Sequence, residues 1–493
     1  MTPNDLQPVF RQFQRLAEIT PDARAIQSGT VAISYAELAS RIAAMAATLA
    51  TRMGVGPGDR VVMMAESNAD FVCAYFATHS IGAICVPLDP HVAAPRLRDI
   101  VERVSPRLVI SEKPLPSQAT VIFDELAAHY NADATANPVP IDIGQTADIL
   151  FTTGTTGRPK GVILSHRALA TACAHINEFI GMRQDAVEVL PLPLSHSFGL
   201  GRVRCVLAAG AALVLVPGFV NASRIFEALA NYGATGFASV PTGIAILLGD
   251  QGKALHRFSQ QLQYIEIGSS AMPLEHKRLL MSLLPNTKIC MHYGLTEASR
   301  SAYLSFHDDE GRLDSIGLPS PRVEMRVVDE AGRVAQDGVD GHIEVRGGHL
   351  FTGYWQDPDL TAETLHDGWL RTGDLGRRDG DGYYYLQARF SDIINVGGRK
   401  VSPQEIEEIL ATHPAIAESA CVGIPDPQGI SGEMVSAFLV AKPACQNLPG
   451  FPELAKLLRQ KLEPYKIPRK FTWIEEIPKS SSGKILRRQL KDL

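Results

Sequence analysis

Apolar positions along the first ninety residues switch between two periods. The stretch SYAELASRIAAMAATLATRM, from Ser34 to Met53, places apolar residues at helical spacing among strong helix formers, which predicts a helix. Gly54-Val-Gly-Pro-Gly58 ends it. DRVVMMA then reads as a short buried strand, NADFVCAYFATHSIG as a helix and AICVPLDP as a second strand. A helix between apolar strands predicts a parallel, covered sheet. The alternation returns in AALVLVPGF, GATGFASVP and LQYIEIGSS, each an apolar strand after a helical stretch. Residues 322–346 differ: short alternating runs broken by Gly and Asp predict antiparallel strands and hairpins. From about Asp392, an amphipathic helix around EIEEIL and short strands predict a separate small α+β unit. Proline-rich stretches at 114–116 and 136–140 read as loops.

Composition narrows the class. The 493 residues carry 47 Lys+Arg against 53 Asp+Glu, a net charge of −6 with no basic face, which argues against a nucleic-acid partner. At 45% hydrophobic and 20% charged, the chain is too apolar for disorder. Seven scattered cysteines without a C-x-x-C predict a reducing, cytoplasmic setting and no zinc ribbon or disulfide scaffold. The charged N-terminus does not read as a signal peptide, and no apolar run approaches the roughly 20 residues of a membrane span.

The sharpest chemical signal is Phe151-Thr-Thr-Gly-Thr-Thr-Gly-Arg-Pro-Lys-Gly161. Gly154 and Gly157 let backbone approach a ligand closely. Thr152, Thr153, Thr155 and Thr156 supply hydroxyls, and Lys160 supplies a charge. Together these suit phosphate oxygens. The string lacks the Gly-Lys-Ser/Thr spacing of the common nucleotide loop, and the plain alternative is a Gly/Thr surface turn.

This string closely resembles the phosphate loop of the adenylate-forming superfamily, which holds acyl-CoA synthetases, peptide-synthetase adenylation domains and luciferases. Thr153 stands where that family usually has serine and keeps the hydroxyl. Four further resemblances follow in the family's order: His292-Tyr-Gly-Leu-Thr-Glu297, Gly368-Trp-Leu-Arg-Thr-Gly-Asp374, the stretch Arg389-Phe-Ser-Asp392 with Gly397-Gly398 and Val401–Glu407, and Pro478-Lys-Ser-Ser-Ser-Gly-Lys-Ile-Leu-Arg-Arg488. The likeness spans nearly the whole chain. It implies a large N-terminal α/β domain, 1–390, with mixed sheets and a small β-rich subdomain, followed by a small mobile C-terminal α+β lid, 391–493.

The resemblance also implies residue roles, each beside a plainer alternative. Glu297 would hold Mg²⁺, with Thr155 or Thr156 assisting; a solvated glutamate is the alternative. One carboxylate with phosphate oxygens and waters is the usual magnesium environment. Thr296 belongs to the same catalytic motif. Tyr293 would stack on adenine or pack in the core. Asp374, in a turn with an exposed carboxylate, would accept two hydrogen bonds from the ribose diol, supported by Arg389. Lys484 would be the catalytic lysine of the first half-reaction, or an ordinary surface charge. Its point charge suits a step that brings a carboxylate and a phosphate together. His196 and Phe198, with Gly268, Ser269, Ser270 and Ala271, would line the acyl end. Ser391 would be the hinge, in a motif that departs from the family at Ala388 and at Ser391 itself. Gly397 and Gly398 would let a pantetheine arm pass, or form a tight turn.

The implied reaction uses ATP and Mg²⁺ to join a carboxylate to AMP, releasing pyrophosphate, and then passes the acyl group to a thiol. No carrier module is fused to the matched region, so free coenzyme A is expected first. The phosphopantetheine arm of a separate acyl carrier protein is second, and luciferase-like oxidation third. A catalytically silent nucleotide binder is the reading from another class. The segment GFASVPT lacks the acid that α-amino-acid pockets place there. Arg202, Arg204 or Arg300 offers a counter-ion for a second substrate carboxylate, or is simply structural. A monocarboxylate with an apolar or aromatic tail is the expected substrate.

Overall fold

The computed structural model describes residues 6–115, 120–127, 139–152, 159–219, 221–389, 392–396, 399–427, 433–443, 445, 447–480 and 483–493. The chain divides into two compact units, Met1–Met325 with Val345–Leu370, and Arg326–Glu344 with Arg371–Leu493.

The first unit is built as the hydrophobic pattern predicts. Tyr35–Thr51 is a helix, and the Ser34 hydroxyl caps it by accepting from the Glu37 amide at 3.2 Å. Arg60–Met64 and Ile84–Leu88 are parallel strands joined by the helix Ala69–Ser80. They belong to a seven-stranded sheet among the described residues. Thr146–Thr152 runs parallel to Ile84–Leu88, and the direction changes after it: Lys160–Ser165 pairs antiparallel to Thr146–Thr152, and Gly353–Tyr354 antiparallel to Lys160–Ser165. A second sheet, nine-stranded among the described residues, carries Ala212–Leu215, Val187–Leu190, Gly236–Ser239, Tyr264–Ile267 and Lys288–Tyr293 side by side in parallel. Its apolar face buries Val189, Val214, Phe237, Ile265 and Ile289 in one core. Buried parallel strands read as continuous apolar runs because both faces are covered.

In the second unit, Ile416–Pro425 and Glu433–Ala441 pair antiparallel, and Lys470–Trp473 adds in parallel. The helix Pro403–Leu410 buries Ile406 and Leu410 against Ala437, Leu454 and Leu458. Arg487 ties the last helix down by donating to Glu407 Oε2 at 2.9 Å and to the Cys421 carbonyl at 2.7 Å. In the Arg326–Glu344 arm, Val328 bridges antiparallel to Val334, as the hairpin pattern predicts. None of the seven cysteines is in a disulfide. Among the described residues no helix is long and apolar enough to cross a membrane.

The first unit also buries several polar side chains. Asp148, fully buried, accepts from the Tyr75 hydroxyl at 2.9 Å, lies 2.8 Å from His79 Nε2 and pairs with Arg204 at 3.3 Å. Burial alone would raise its pKa; His79, Arg204 and Tyr75 together hold it below the usual carboxylate range. Other histidines, His166 and His349 among them, are buried with less of that help. Burial, and then the neighbouring His79, push His166 down to about 3, and burial pushes His349 down to about 4. Both stay neutral in the folded protein, while the unfolded chain protonates them near pH 6.5. Stability is therefore expected to fall as pH drops from about 6.5 toward 4, by roughly 3 kcal/mol for His349 alone. Melting temperature measured from pH 7.5 to 4.5 tests this: His349→Gln should flatten the slope, and an unchanged slope would refute the buried neutral imidazole.

Candidate active site

The proposed phosphate loop is bracketed by two antiparallel strands. Thr152 ends one strand, Lys160 begins the next, and the two are directly paired. Thr153, Gly154, Thr155, Thr156 and Gly157 lie outside the described residues, as do Ser391, Gly397 and Gly398.

Glu297 sits on a second loop, where Lys288–Tyr293 turns back into Ala302–Ser305. The turn closes through reciprocal amide bonds between Leu295 and Ala298, at 3.0 and 3.2 Å. Gly294 permits it, because a Cβ there would stand 2.5 Å from the Arg300 amide nitrogen and 2.8 Å from the Ala298 carbonyl oxygen. Tyr293 and Thr296 are half-buried on this loop. Two non-glycine residues near it, Ser269 and Arg300, hold φ of 84° and 56°. Such backbone costs about 1–3 kcal/mol each and persists where the surroundings fix it, often at functional sites.

The segment Leu350–Trp355 fastens the two loops to one another. On one side, the Thr352 amide donates to the Ile163 carbonyl at 2.9 Å and the Trp355 amide to the Gly161 carbonyl at 2.7 Å. On the other, the Phe351 amide donates to the Glu297 carbonyl at 2.8 Å, and Leu350 bridges to Ala298. Tyr354 completes the link with its side chain. Its hydroxyl donates to Glu297 Oε1 at 2.8 Å, and the Lys160 ammonium lies 5.5 Å from the centre of its ring. Burial, and then Glu297, push the Tyr354 phenol well up, so it stays a donor. Among the described residues no hydrogen bond reaches Glu297 Oε2. A half-buried carboxylate oxygen of this kind fits Mg²⁺, a hard cation that takes one or two carboxylates and completes its shell with phosphate and water. Among the described residues there is no cluster of three His, Cys, Asp or Glu that could hold a metal unaided.

Of the proposed acyl-end residues, all in the first unit, Phe198 and Gly268 both lie against His292. His196 is the N-cap of the helix Ser197–Ala208, and Phe198 is buried in its first turn. The Phe198 ring meets His292 edge-on at 4.6 Å, and the Arg300 guanidinium lies 4.7 Å from its centre. Gly268 is required here: a Cβ would come within 2.1 Å of the His292 ring. His292, quoted above only as part of a motif, thus joins the proposed pocket residues.

Beneath them lies a charge-balanced floor. Arg202 pairs with both carboxylates of the fully buried Glu188 and Glu266, bonding Glu188 Oε1 at 2.9 Å and lying 3.1 Å from Glu266 Oε2. Arg300 adds a bond to Glu266 Oε1 at 3.1 Å, and Tyr303 another at 2.9 Å. His292 Nδ1 lies 2.9 Å from the same oxygen. Burial would raise the Glu266 pKa, but Arg300, Arg202 and His292 hold it well below the usual range. Arg202 and Arg300 therefore answer internal carboxylates, and Arg204 answers Asp148. The alternative that these arginines await a second substrate carboxylate gives way to the structural one, since each charge is already balanced in the interior.

Asp374, Arg389 and Lys484 belong to the second unit. Asp374 corrects an expectation: it is not an exposed turn residue but lies on the strand Trp369–Arg378, 2% exposed. Its amide donates to Thr372 Oγ1 at 3.1 Å, and Arg389 stands opposite it in the antiparallel pair. Lys484 is exposed, its amide donating to Ser480 Oγ at 3.1 Å and its carbonyl accepting from the Ser480 amide at 2.8 Å.

Known proteins share this architecture. A family described as AMP-binding enzyme matches residues 13–355, and its C-terminal domain matches 405–484. The fatty acid–[acyl-carrier-protein] ligase ScoC of Streptomyces coeruleorubidus is 32% identical over 461 residues, covering 89% of this chain and 87% of its own. A feruloyl-CoA synthase of an Amycolatopsis species is 29% identical over 97% of both. The O-succinylbenzoate coenzyme A synthetase (MenE) of Bacillus subtilis, solved with ATP and magnesium ion, superposes with a TM-score of 0.87 at 26% identity, over 99% of this chain and 100% of that one.

Proposed function

We propose, because the chain belongs to the AMP-binding enzyme family, that it activates a monocarboxylic acid with an apolar or aromatic tail and passes it to coenzyme A. The chain is an AMP-forming acid–thiol ligase of the adenylate-forming superfamily. Its substrates and cofactor are ATP, Mg²⁺ and a thiol, either coenzyme A or a carrier's phosphopantetheine.

The observation that carries the reading is the convergence of Lys160 and Glu297 on Tyr354. It supports a site that holds a triphosphate between an ammonium and a metal-bound carboxylate. In the first step a carboxylate oxygen of the acid bonds to the α-phosphorus, and the bond to pyrophosphate breaks. In the second, the thiol sulfur bonds to the acyl carbon, and AMP leaves. When bound, Mg²⁺ supplies charge neutralisation on the phosphates. Glu297 would hold it, with Thr155 assisting, and Thr296 belongs to the same loop. Thr152 to Gly157 and Lys160 would cradle the phosphates, Tyr293 would meet adenine, and Asp374 with Arg389 the ribose. Lys484 would serve the first step only. The 391–493 region would act as a lid hinged at Ser391, with Gly397 and Gly398 lining the thiol path.

Tail selection would fall to His196, Phe198, Gly268 to Ala271 and His292. The internal pairing of Arg202, Arg204 and Arg300 favours a monocarboxylate over a diacid. A carrier-protein acceptor is the second reading, favoured by the printed name of the 32% identical Streptomyces relative. Pyrophosphate release with MgATP across fatty, aryl, amino and dicarboxylic acids, each with and without coenzyme A, tests both. Turnover that requires coenzyme A and runs at least tenfold slower on dicarboxylates is expected. Pyrophosphate exchange indifferent to coenzyme A would move the reading to a carrier protein, and a dicarboxylate preference would overturn the tail assignment.

A further inference from the structure

We propose that Tyr354 is a positioning residue for MgATP, fixing the Glu297 carboxylate and the Lys160 ammonium at one spacing. The inference rests on the proposed roles of Glu297 and Lys160. Tyr354 is 57 residues from Glu297 in sequence and belongs to none of the motifs that carry the nucleotide chemistry.

A glutamate has three rotatable bonds, so a carboxylate meant for a metal must be restrained before the metal arrives. Tyr354 restrains it through Oε1, at 2.8 Å. That tyrosine is itself held on several sides. It is 7% exposed, its amide donates to Thr361 Oγ1 at 2.8 Å, and its strand is registered against Val162, two residues past Lys160. Phe351 packs on it edge-on, with ring centres 4.9 Å apart. The same ring offers its face to Lys160, and a cation over an aromatic face is held without losing its donors. One side chain thus sets the distance between a group suited to the metal and a group suited to the phosphates. Preorganised charges of this kind act on phosphate binding rather than on the acyl end.

Two substitutions separate the two contacts. Tyr354→Phe removes the hydroxyl and keeps the ring; Tyr354→Leu removes both. Calorimetric titration of the full chain with MgATP is expected to show affinity weakened about tenfold for Phe and further for Leu. The KM for the acid and the melting temperature of the Phe variant should stay near wild type. In a Glu297→Gln background, Tyr354→Phe should have less effect than alone, because the charged acceptor is already gone. Unchanged MgATP affinity in Tyr354→Phe, or equal effects in both backgrounds, would overturn the inference. If Glu297→Gln itself leaves MgATP affinity unchanged, the metal role of Glu297 fails, and this inference with it. If Glu297→Gln weakens binding and Tyr354→Phe does not, only the positioning role fails.

Discussion

Replacing Lys484 by alanine is expected to slow acyl-adenylate formation by about 10²–10³-fold, the range for losing one preorganised charge-stabilising group, while thioester formation from a supplied acyl adenylate stays within about twofold. The two half-reactions ask for different things at one carbonyl. In the first, an anionic carboxylate attacks an anionic phosphate, and negative charge accumulates on the bridging oxygens. A positioned ammonium interacts more strongly with that transition state than with the separated anions, which is what lowers a barrier. In the second, the attacked carbon belongs to a mixed anhydride that is already activated, and AMP leaves without a second anion approaching the phosphorus. The local structure makes the experiment readable. Lys484 is exposed, and its backbone bonds to Ser480 are ones that alanine keeps, so the variant should melt with the wild type. Pyrophosphate release reports the first step, and thioester formation from synthetic acyl adenylate reports the second. Equal loss of both would sink the assignment.

What the sequence disclosed and what it concealed divide by range. Runs such as VVMM, ICVPL and YIEI became strands because burial on both faces needs no partner to be known in advance. Glu297 could be proposed from the sequence because its motif is local, and Thr152 and Lys160 because they bracket one short stretch; the structure pairs those two directly. Tyr354 was not legible. Nothing in Phe351-Thr-Gly-Tyr-Trp355 distinguishes one tyrosine among 12, and its partners are a strand and a loop brought together only by the sheet. Asp374 was misplaced for the opposite reason: Thr-Gly-Asp has local turn character, but pairing with Tyr384–Arg389 draws it into a strand. His292 stood in plain view inside a motif, yet its contact with Gly268 depends on two parallel strands lying side by side. The arginines are the hardest to read, because a charge on a helix, as at Arg202 and Arg204, or in a turn, as at Arg300, says nothing of the carboxylates it meets.

Arg202→Met is therefore expected to be among the most destabilising single changes in the first unit, costing roughly 3–5 kcal/mol, the range for breaking a fully buried pair by removing one partner. Arg202 and its partners Glu188 and Glu266 are each 0% exposed, and two carboxylates are balanced there by two guanidiniums, Arg202 and Arg300. Methionine fills much of the space, so the loss is electrostatic rather than a cavity. Tyr264, which donates to Glu188 Oε2 at 2.5 Å, cannot replace a full charge. One carboxyl should then take up a proton in the folded variant, its pKa raised above the unfolded value by the burial that Arg202 formerly offset. The sign of the pH dependence follows. A carboxyl with a raised folded pKa stabilises the folded state at low pH and loses that contribution as pH rises through the raised value. The deficit relative to wild type should accordingly be larger at pH 8 than at pH 5.5. Removing the orphaned charge tests the cause: Glu188→Gln added to Arg202→Met should recover part of the loss. Denaturation of the single and double variants at both pH values decides it. A pH-independent deficit, or a double variant no more stable than the single, would mean that Arg202 contributes packing and that the buried floor beneath Phe198 and His292 is not held by charge balance.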